Sequence, residues 1–254
     1  MKTKVITIIN QKGGVGKTTT AINFAAGLAL KMQDTLLIDL DGQANATQGL
    51  GAASSGVADT VYDVLMNGAE PSGAIIPTDV NLLHLMPSSM HLNGAKVELV
   101  EVKEREWVLK KVIEKLRGNY RYIIIDSPPS LDLLTVNALA ANDSAMIPIQ
   151  CEYYALEGLG QLMNTLRKVK KGLNTSLIIE GVVLTMHDRR TNLSFQVVDN
   201  IKKHFKGHVY STIIPRNVRL AEAPSFGKTI YDYAPNSKGA SEYLKLTEEF
   251  LRNQ

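Results

Sequence analysis

Short apolar runs alternate along this chain with longer segments in which apolar residues recur at helical spacing. The short runs are rich in β-branched residues and predict buried strands over residues 5–9, 35–41, 80–87, 120–126, 145–149, 178–186 and 211–214. The segments between them predict helices over residues 20–29, 60–66, 97–116, 156–170, 193–205 and 240–253. Strands that alternate with helices predict an α/β fold, with a doubly wound, mostly parallel sheet and helices on both faces.

Two stretches follow this pattern less clearly. Residues 49–95 are rich in Gly, Ala, Ser and Pro and show only short helical pieces. Residues 97–116 carry mixed charge at helical spacing and predict a solvent-facing helix, with Trp107 and Leu109 as its apolar anchors. His84 lies in the third predicted strand, where a packed or solvated histidine is expected more often than a metal ligand.

A glycine-rich stretch, KGGVGKTT, separates the first strand from the first helix. Strand, glycine-rich turn and helix in this order predict a phosphate-binding loop. Glycines let backbone N–H groups converge on an anion, and the positive end of the helix adds to the attraction. Lys17 is predicted to reach the outer phosphates and the Thr18 hydroxyl to ligate Mg²⁺. The predicted nucleotide-binding residues of the loop are Lys12, Gly13, Gly14, Val15, Gly16, Lys17, Thr18 and Thr19.

The start of this loop departs from the usual G-x-x-x-x-G-K-[ST] pattern. Gln11 occupies the position of the first glycine, and a second lysine, Lys12, follows it. A lysine at this place cannot easily fold back onto the phosphates of its own loop, so we expect it to reach a nucleotide on a second subunit. The alternative is an ordinary glycine-rich turn with solvated lysines, but the loop and both flanking elements agree on phosphate binding.

Three aspartates end apolar strands. Asp39 and Asp41 close the second strand, and Asp126 closes the run with three consecutive isoleucines, just before Pro128 and Pro129. Ligands of open parallel sheets gather at the carboxyl ends of strands, which predicts that these acids lie near the phosphate-binding loop. Asp126 is placed as a Walker B acid would be, where it would hold the water shell of Mg²⁺.

Composition narrows the class of protein. The 254 residues are 44% hydrophobic and 21% charged, and they suffice for one α/β domain over residues 1–254. The net charge of +3 permits a local basic patch. The single cysteine, Cys151, argues against a disulfide scaffold and against a multi-cysteine metal site in a monomer. No secretory signal and no membrane-spanning run are visible, so a cytoplasmic protein is expected.

Longer stretches of the chain resemble the ParA/MinD superfamily of deviant Walker A ATPases, and within it the small Soj-type ParA partition proteins. The resemblance covers nearly the whole chain. It is carried by KGGVGKTTT at 12–20, LLIDLDGQANAT at 36–47, IIIDSPPS at 123–130, QCEYYALEGL at 150–159, TMHDRRTNLS at 185–194 and IIPRNVRLAEAP at 213–224.

The resemblance implies roles for matching positions. It implies catalytic roles for Lys12, which would contact the partner's nucleotide, for Lys17, and for Asp41, which would orient the attacking water. It implies Mg²⁺ contacts for Thr18, Asp39 and Asp126, with Asp39 also as a support. Adenine would be read by Pro215 and Asn217, and DNA would be bound by Arg190 and Arg219, with Arg189, Arg216, Lys202 and Lys203 as further candidates. Gly42 departs from the family, which usually has proline there.

The implied protein is an ATPase that uses ATP and Mg²⁺. It dimerises with ATP, binds double-stranded DNA of the nucleoid without sequence preference, and segregates a plasmid or chromosome. A ParB-like partner would stimulate hydrolysis. A protein cargo such as carboxysomes, with a McdB-like partner, is the alternative within the family.

Three other classes of protein fit the sequence less well. A MinD-like membrane-cycling ATPase needs a basic amphipathic C-terminal helix, but residues 241–250 contain three acids and a modest apolar face. A protein like the nitrogenase iron protein needs two cysteines from each subunit, and this chain has one. A binding module without activity is disfavoured because Lys17, Thr18 and Asp41 are all present.

Overall fold

Eight strands form one sheet in the computed structural model, which describes residues 2–52 and 59–254. The strands are β1 Lys4–Ile8, β2 Thr35–Asp39, β3 Ile76–Pro77, β4 Leu83–Met86, β5 Tyr122–Asp126, β6 Ser144–Gln150, β7 Ile178–His187 and β8 Val209–Pro215. Their order is β3-β4-β2-β5-β1-β6-β7-β8. All neighbouring pairs are parallel except β3 with β4. The predicted α/β fold with a mostly parallel sheet is therefore confirmed.

Helices connect the strands and cover both faces of the sheet. Within the described residues they are α1 Lys17–Leu30, α2 Asn45–Gly49, α3 Val61–Met66, α4 Leu92–Glu98, α5 Val108–Leu116, α6 Leu133–Ala141, α7 Ala155–Gly172, α8 Asn192–His204, α9 Val218–Glu222, α10 Ile230–Tyr233 and α11 Lys238–Arg252. Short 3₁₀ turns lie at Pro71–Ala74, Leu99–Glu101, Arg105–Trp107 and Ala223–Phe226.

The central strand β1 shows why the sheet is buried on both sides. Its residues alternate between faces, so Val5 packs in one apolar cluster with helices α3 to α6. Ile6 and Ile8 pack in the opposite cluster with α1 and α11. A third cluster joins β6 and β7 to α7 and α8. Parallel strands covered on both faces read as continuous apolar runs, which is the pattern the sequence shows.

The prediction of one continuous helix over residues 97–116 is wrong. Glu104 adopts a left-handed backbone, with φ of 58°, and this interrupts the helix between α4 and α5. Over α5 the predicted surface helix is confirmed, since Lys110, Lys111, Glu114 and Lys115 are exposed and Leu109 is fully buried as its anchor. Ile113 and Leu116 are buried as well, so the apolar face of α5 is wider than the predicted anchors alone.

The C-terminal helix α11 packs its apolar face inside the protein. Tyr243, Leu246 and Phe250 are buried in the cluster that includes α1. The Phe250 ring contacts Phe24 edge-on, with ring centroids 5.1 Å apart, and Tyr122 at 5.5 Å. The apolar face of α11 is therefore buried against the rest of the protein. Over the described ranges, no helix combines the length and the apolar character that crossing a bilayer would need.

Candidate functional site

The loop between β1 and α1 has the backbone of an anion-binding turn. Gly14 and Gly16 have φ of 73° and 87°, in the left-handed region that L side chains rarely adopt. A Cβ on Gly14 would meet no atom within 4 Å, so conformation rather than crowding requires glycine there. Gly16 directly precedes α1 and leaves the first N–H groups of that helix facing the loop.

Side chains from neighbouring strands hold this loop in place. The Asn10 amide donates to the Pro148 carbonyl at 2.7 Å and accepts the Lys12 N–H at 3.0 Å. The Thr185 hydroxyl donates to the Val15 carbonyl at 2.8 Å. Val15 itself is buried, so its side chain anchors the loop and only its backbone is available to a ligand.

A cavity of about 530 Å³ opens above the loop. Most of the predicted loop residues line it, and so does Asp41 from the end of β2, whereas Lys12 and Val15 do not. The lining residues that the sequence reasoning missed are Ile22, Asn45, Gln48, Gly49, Pro129, Met186, Pro224 and Ser225. Met186 and the anchor Thr185 lie near the carboxyl end of β7, where the strand-end rule that located Asp39 would also have found them.

Lys17 lies at the base of the cavity. It is 7% exposed, and its ammonium donates to the Lys12 carbonyl at 3.1 Å. Burial lowers the pKa of Lys17, and the negative charges of Asp126 and Asp41 partly offset this effect. The ammonium therefore lies in a weakly hydrated site, where its electrostatic attraction to a phosphate group would be strong.

Lys12 is directed to a different partner. Its ammonium forms an ion pair with Oε2 of Glu152 at 3.1 Å, at the start of the segment that leads from β6 to α7. Oε1 of Glu152 accepts the Gln150 amide at 2.5 Å. Both side chains of the pair are about half exposed, at 50% and 45%. The two lysines of one loop therefore differ in position, one inside the cavity and one at its outer rim.

Asp126 fits a role in holding a cation. Both of its carboxylate oxygens are buried, and neither has a hydrogen-bond partner among the described residues. Burial raises the pKa of Asp126 well above its usual value, and Asp39 raises it further. Thr18 and Lys17 lower it in part, although neither completes a hydrogen bond to it. A buried carboxylate without donors is costly unless a cation compensates it.

The donor set at this place suits Mg²⁺. Thr18 offers a hydroxyl oxygen and Asp126 carboxylate oxygens, and Mg²⁺ prefers oxygen ligands. No group of three or more His, Cys, Asp or Glu side chains that could cage a metal occurs in the described part of the chain. Mg²⁺ usually takes only one or two carboxylates and completes its shell with water and substrate phosphates. Thr18 and Asp126 therefore fit this ion.

Asp39 differs from Asp126 although both are fully buried. Its Oδ1 accepts the Asp41 N–H at 3.1 Å, and its Oδ2 accepts both the N–H and the hydroxyl of Thr47, at 2.8 and 2.7 Å. Burial raises the pKa of Asp39 to about 6, against the opposing effect of these bonds. The geometry favours Asp39 as a support of the loop that carries Asp41, and its direct contact with Mg²⁺ stays a prediction.

A second cavity of about 300 Å³ adjoins the first and shares Gly16, Thr19 and Met186 with it. Pro215 and Asn217, predicted to contact adenine, line this cavity together with Arg216. Oδ1 of Asn217 caps α9 by accepting the Arg219 N–H at 2.9 Å. Within the described ranges the Asn217 amide nitrogen makes no hydrogen bond, so it is free to donate to a ligand.

The four predicted DNA-binding arginines come from the carboxyl ends of two neighbouring parallel strands. Arg189 and Arg190 follow β7, and Arg216 and Arg219 follow β8. The Arg216 N–H donates to the His187 carbonyl at 3.0 Å, which joins the two segments. The structure thus brings to one edge of the sheet residues that are far apart in sequence.

Two of these arginines are paired with carboxylates. Arg190 makes a bidentate contact with Asp188, at 2.9 and 2.7 Å, and this holds the pKa of Asp188 well below its usual range. Arg219 contacts Glu222 at 2.8 Å. The two arginine side chains are 85% and 59% exposed, so phosphate groups can compete with the carboxylates for them.

Lys202 and Lys203 are not part of this arginine cluster. They lie in the last turn of α8, whose first turn directly follows the β7 arginines. The helix runs back toward the amino ends of the strands, and its 13 residues span roughly 20 Å. We therefore place these lysines away from the four arginines.

Comparison with known proteins extends the likeness over the whole chain. A family model described as an AAA domain matches residues 3–179. The sporulation initiation inhibitor protein Soj of Bacillus subtilis is 55% identical over 250 residues, which cover 98% of this chain and 99% of that protein. The chromosome partitioning protein ParA of Myxococcus xanthus is 51% identical over 249 residues, covering 98% and 88%.

Solved structures agree with this likeness. A cobyrinic acid a,c-diamide synthase from Mycobacterium smegmatis, with bound ATP analog and magnesium, superposes with a TM-score of 0.87 at 35% identity and covers 99% of this chain and 95% of that chain. The cell division ATPase MinD of Pyrococcus furiosus superposes with a TM-score of 0.82 at 25% identity, covering 99% of both chains. Sequence identity is therefore higher to the partitioning proteins than to either of these structures.

Proposed function

The chain belongs to the Soj/ParA family of chromosome-partitioning ATPases, and from that premise we propose that it acts as an ATP-dependent switch in chromosome partitioning. It hydrolyses ATP with Mg²⁺, pairs with a second copy when ATP is bound, and in that state binds the DNA of the nucleoid without sequence preference. A ParB-like partner stimulates hydrolysis and returns the chain to its unpaired state.

One observation supports this proposal most strongly: Lys17, Thr18 and Asp41 converge on one cavity while Lys12 stays at its rim. Phosphoryl transfer depends mainly on positioning and on neutralising charge. Lys17 would bind the outer phosphates of ATP, and Asp41 would orient the attacking water. Lys12 does not line the cavity of its own loop, and its exposed ammonium would be available to a triphosphate on a second subunit.

The residues that would hold the metal are Thr18 and Asp126. When bound, Mg²⁺ would neutralise charge on the phosphate oxygens of the substrate. The adjoining cavity would take the adenine ring, with Pro215 packed on it and the free amide of Asn217 as a donor. Nucleotide recognition would therefore extend from the glycine-rich loop to the end of β8.

The DNA-binding face would be the arginine edge formed by Arg189, Arg190, Arg216 and Arg219. Arginines that meet phosphates bind DNA without reading its sequence, and such binding weakens steeply with salt. Pairing of two copies doubles the number of arginines that contact one duplex. ATP-dependent pairing thereby makes DNA binding depend on the nucleotide.

The cargo we propose is the chromosome. Three relatives that are 55%, 51% and 48% identical to this chain are named for chromosome partitioning or for Soj. The likeness to McdA of Cyanothece, at 24% identity, shows the fold alone. A MinD-like membrane cycle is disfavoured because the apolar face of α11 packs in the core.

The test is the molecular mass of the chain with ATP and Mg²⁺, measured by light scattering, for the unsubstituted chain, Lys12→Ala and Lys17→Ala. We expect the unsubstituted chain to dimerise with ATP. Lys17→Ala should fail to bind ATP, and Lys12→Ala should bind ATP as a monomer. Full ATP-dependent dimerisation of Lys12→Ala would overturn the proposed switch.

A further inference from the structure

The buried carboxylate of Asp39 accepts hydrogen bonds from both ends of the loop that carries Asp41. As described above, Asp39 accepts the N–H of Asp41 on one oxygen, and on the other it accepts both donors of Thr47. Asp39 is fully buried and Thr47 is 4% exposed, so water does not compete for these bonds. The clamp ties the short helix α2 back onto the end of β2.

The Thr47 hydroxyl also reaches a third segment. It accepts the N–H of Ser88 at 2.9 Å, two residues after β4 ends. A backbone N–H can only donate and an ionised carboxylate can only accept, so the hydroxyl proton must point to Asp39. Thr47 therefore joins the ends of two neighbouring strands to α2 with a defined direction of each hydrogen bond.

The position of Asp41 depends on this clamp. Asp41 and Thr47 are the two tied points, and residues 42–46 lie between them. Besides its N–H bond to Asp39, Asp41 accepts the N–H of Gln43 on Oδ1 at 3.0 Å and that of Ala44 on its carbonyl at 2.9 Å. Oδ2 of Asp41 makes no hydrogen bond within residues 2–52 and 59–254, so it can accept from water. Asp41 and Asn45 both line the cavity.

We infer that Thr47 is a positioning residue for ATP hydrolysis, which through Asp39 holds Asp41 where it orients the attacking water. The inference rests on the proposed function. Thr47 lies outside the cavity lining, and its side chain bonds to Asp39 and Ser88. Its contribution is therefore to the geometry of hydrolysis rather than to the binding of ATP. A change in the rate of hydrolysis without a change in ATP binding would therefore reveal this role.

The test compares steady-state ATP hydrolysis of Thr47→Val, which keeps the shape and removes the hydroxyl, with Thr47→Ser, which keeps the hydroxyl. Thr47→Val should lower kcat roughly ten- to hundredfold with an unchanged KM for ATP. Thr47→Ser should restore most of kcat. Thr47→Cys, which keeps a weak donor, should fall between them and provides a second reading if the valine variant does not fold.

Thr35→Val is the matched control. Thr35 is the first residue of β2, at the strand end far from the cavity; it is fully buried, and its hydroxyl donates to the Gln33 carbonyl at 2.8 Å. The same chemical change there should leave kcat unchanged. A kcat for Thr47→Val equal to that of the control would overturn the inference, and so would a joint loss of kcat and ATP binding that the serine variant does not restore.

A second readout separates positioning from loss of structure. If Thr47 acts only on hydrolysis, the ATP-bound dimer of Thr47→Val should persist longer than that of the unsubstituted chain, because it forms normally and decays slowly. A shorter-lived dimer would overturn the inference. Absence of ATP hydrolysis in the unsubstituted chain would contradict the proposed function itself, so the two failures are distinguishable.

Discussion

The ammonium of Lys12 lies 3.1 Å from Oε2 of Glu152, across 140 positions of sequence. The pair sits at the rim of the phosphate cavity, and both side chains remain about half exposed. An ion pair in this setting loosely holds the lysine in one place and can be exchanged for a stronger anion. Pairing of two subunits around ATP would supply such an anion.

Glu152→Gln should hardly change the stability of the nucleotide-free chain. Exposed ion pairs contribute about 0–1 kcal/mol to the free energy of unfolding, since water and salt screen them. Urea unfolding without nucleotide is the measurement, with Glu70→Gln in the exposed Lys115–Glu70 pair as the control. A loss several times larger than that of the control would show that Glu152 has a structural role beyond this pair.

Gly16→Ala should destabilise the chain even without nucleotide. The left-handed backbone at this position costs an L residue about 1–2 kcal/mol. Gly13→Ala is the control, because Gly13 has no such backbone and its added Cβ would meet nothing within 4 Å. Chemical denaturation of both variants measures the difference. Equal free energies of unfolding would contradict the assigned loop conformation.

Arg219→Ala should weaken DNA binding by the ATP-bound chain and change its salt dependence. Removal of one phosphate contact lowers the slope of log affinity against log salt concentration by about 1. Arg252→Ala is the control. Arg252 ends α11 and lies near His208, at the amino end of β8, whereas the four arginines follow the carboxyl ends of β7 and β8. Titrations of duplex DNA at several salt concentrations measure both slopes. An unchanged slope for Arg219→Ala would remove this residue from the DNA-binding face.

Glu249 should make the stability depend on pH. Burial alone would raise its pKa, but hydrogen bonds from the N–H groups of Ser211 and Thr212 and from the Thr212 hydroxyl outweigh burial and lower it below the usual 4.5. A carboxylate whose pKa is lower in the folded state stabilises the fold above its unfolded-state pKa, and this stabilisation disappears as the pH falls through the folded-state pKa.

Glu249→Gln checks this expectation. The variant places an amide donor against backbone donors, so near pH 7 it should lose about 1.5–3 kcal/mol of unfolding free energy. The difference from the unsubstituted chain should stay constant down to about pH 5 and shrink below that. Unfolding measured at a series of pH values gives the curve, and a difference that grows on acidification would contradict it.

Cys151 should resist thiol reagents in the folded chain. It is 4% exposed, and burial raises the pKa of its thiol to about 12, so almost no thiolate forms at pH 8. Labelling with a maleimide or an aromatic disulfide should therefore be slow in buffer and fast in denaturant. Fast labelling of the folded chain would show that the end of β6 opens readily.

Much of this structure could be predicted from local sequence patterns. The phosphate-binding loop could be predicted because glycine conformation, strand end and helix start act within a few neighbouring residues. The position of Asp126 followed from one apolar run and the strand-end rule. The break in the helix over residues 97–116 could not be predicted in this way, because the left-handed backbone at Glu104 depends on packing against distant segments.

The sequence by itself determined the alternation of strands and helices, the phosphate-binding loop and the acids at the strand ends, because these depend on interactions between near neighbours. Only the tertiary structure decided which distant side chains meet. It placed Glu152 beside Lys12, joined Thr47 to Ser88, and brought the arginines of β7 and β8 to one edge. The physical reason is the order of strands in the sheet, which depends on how the apolar faces of all its helices pack together.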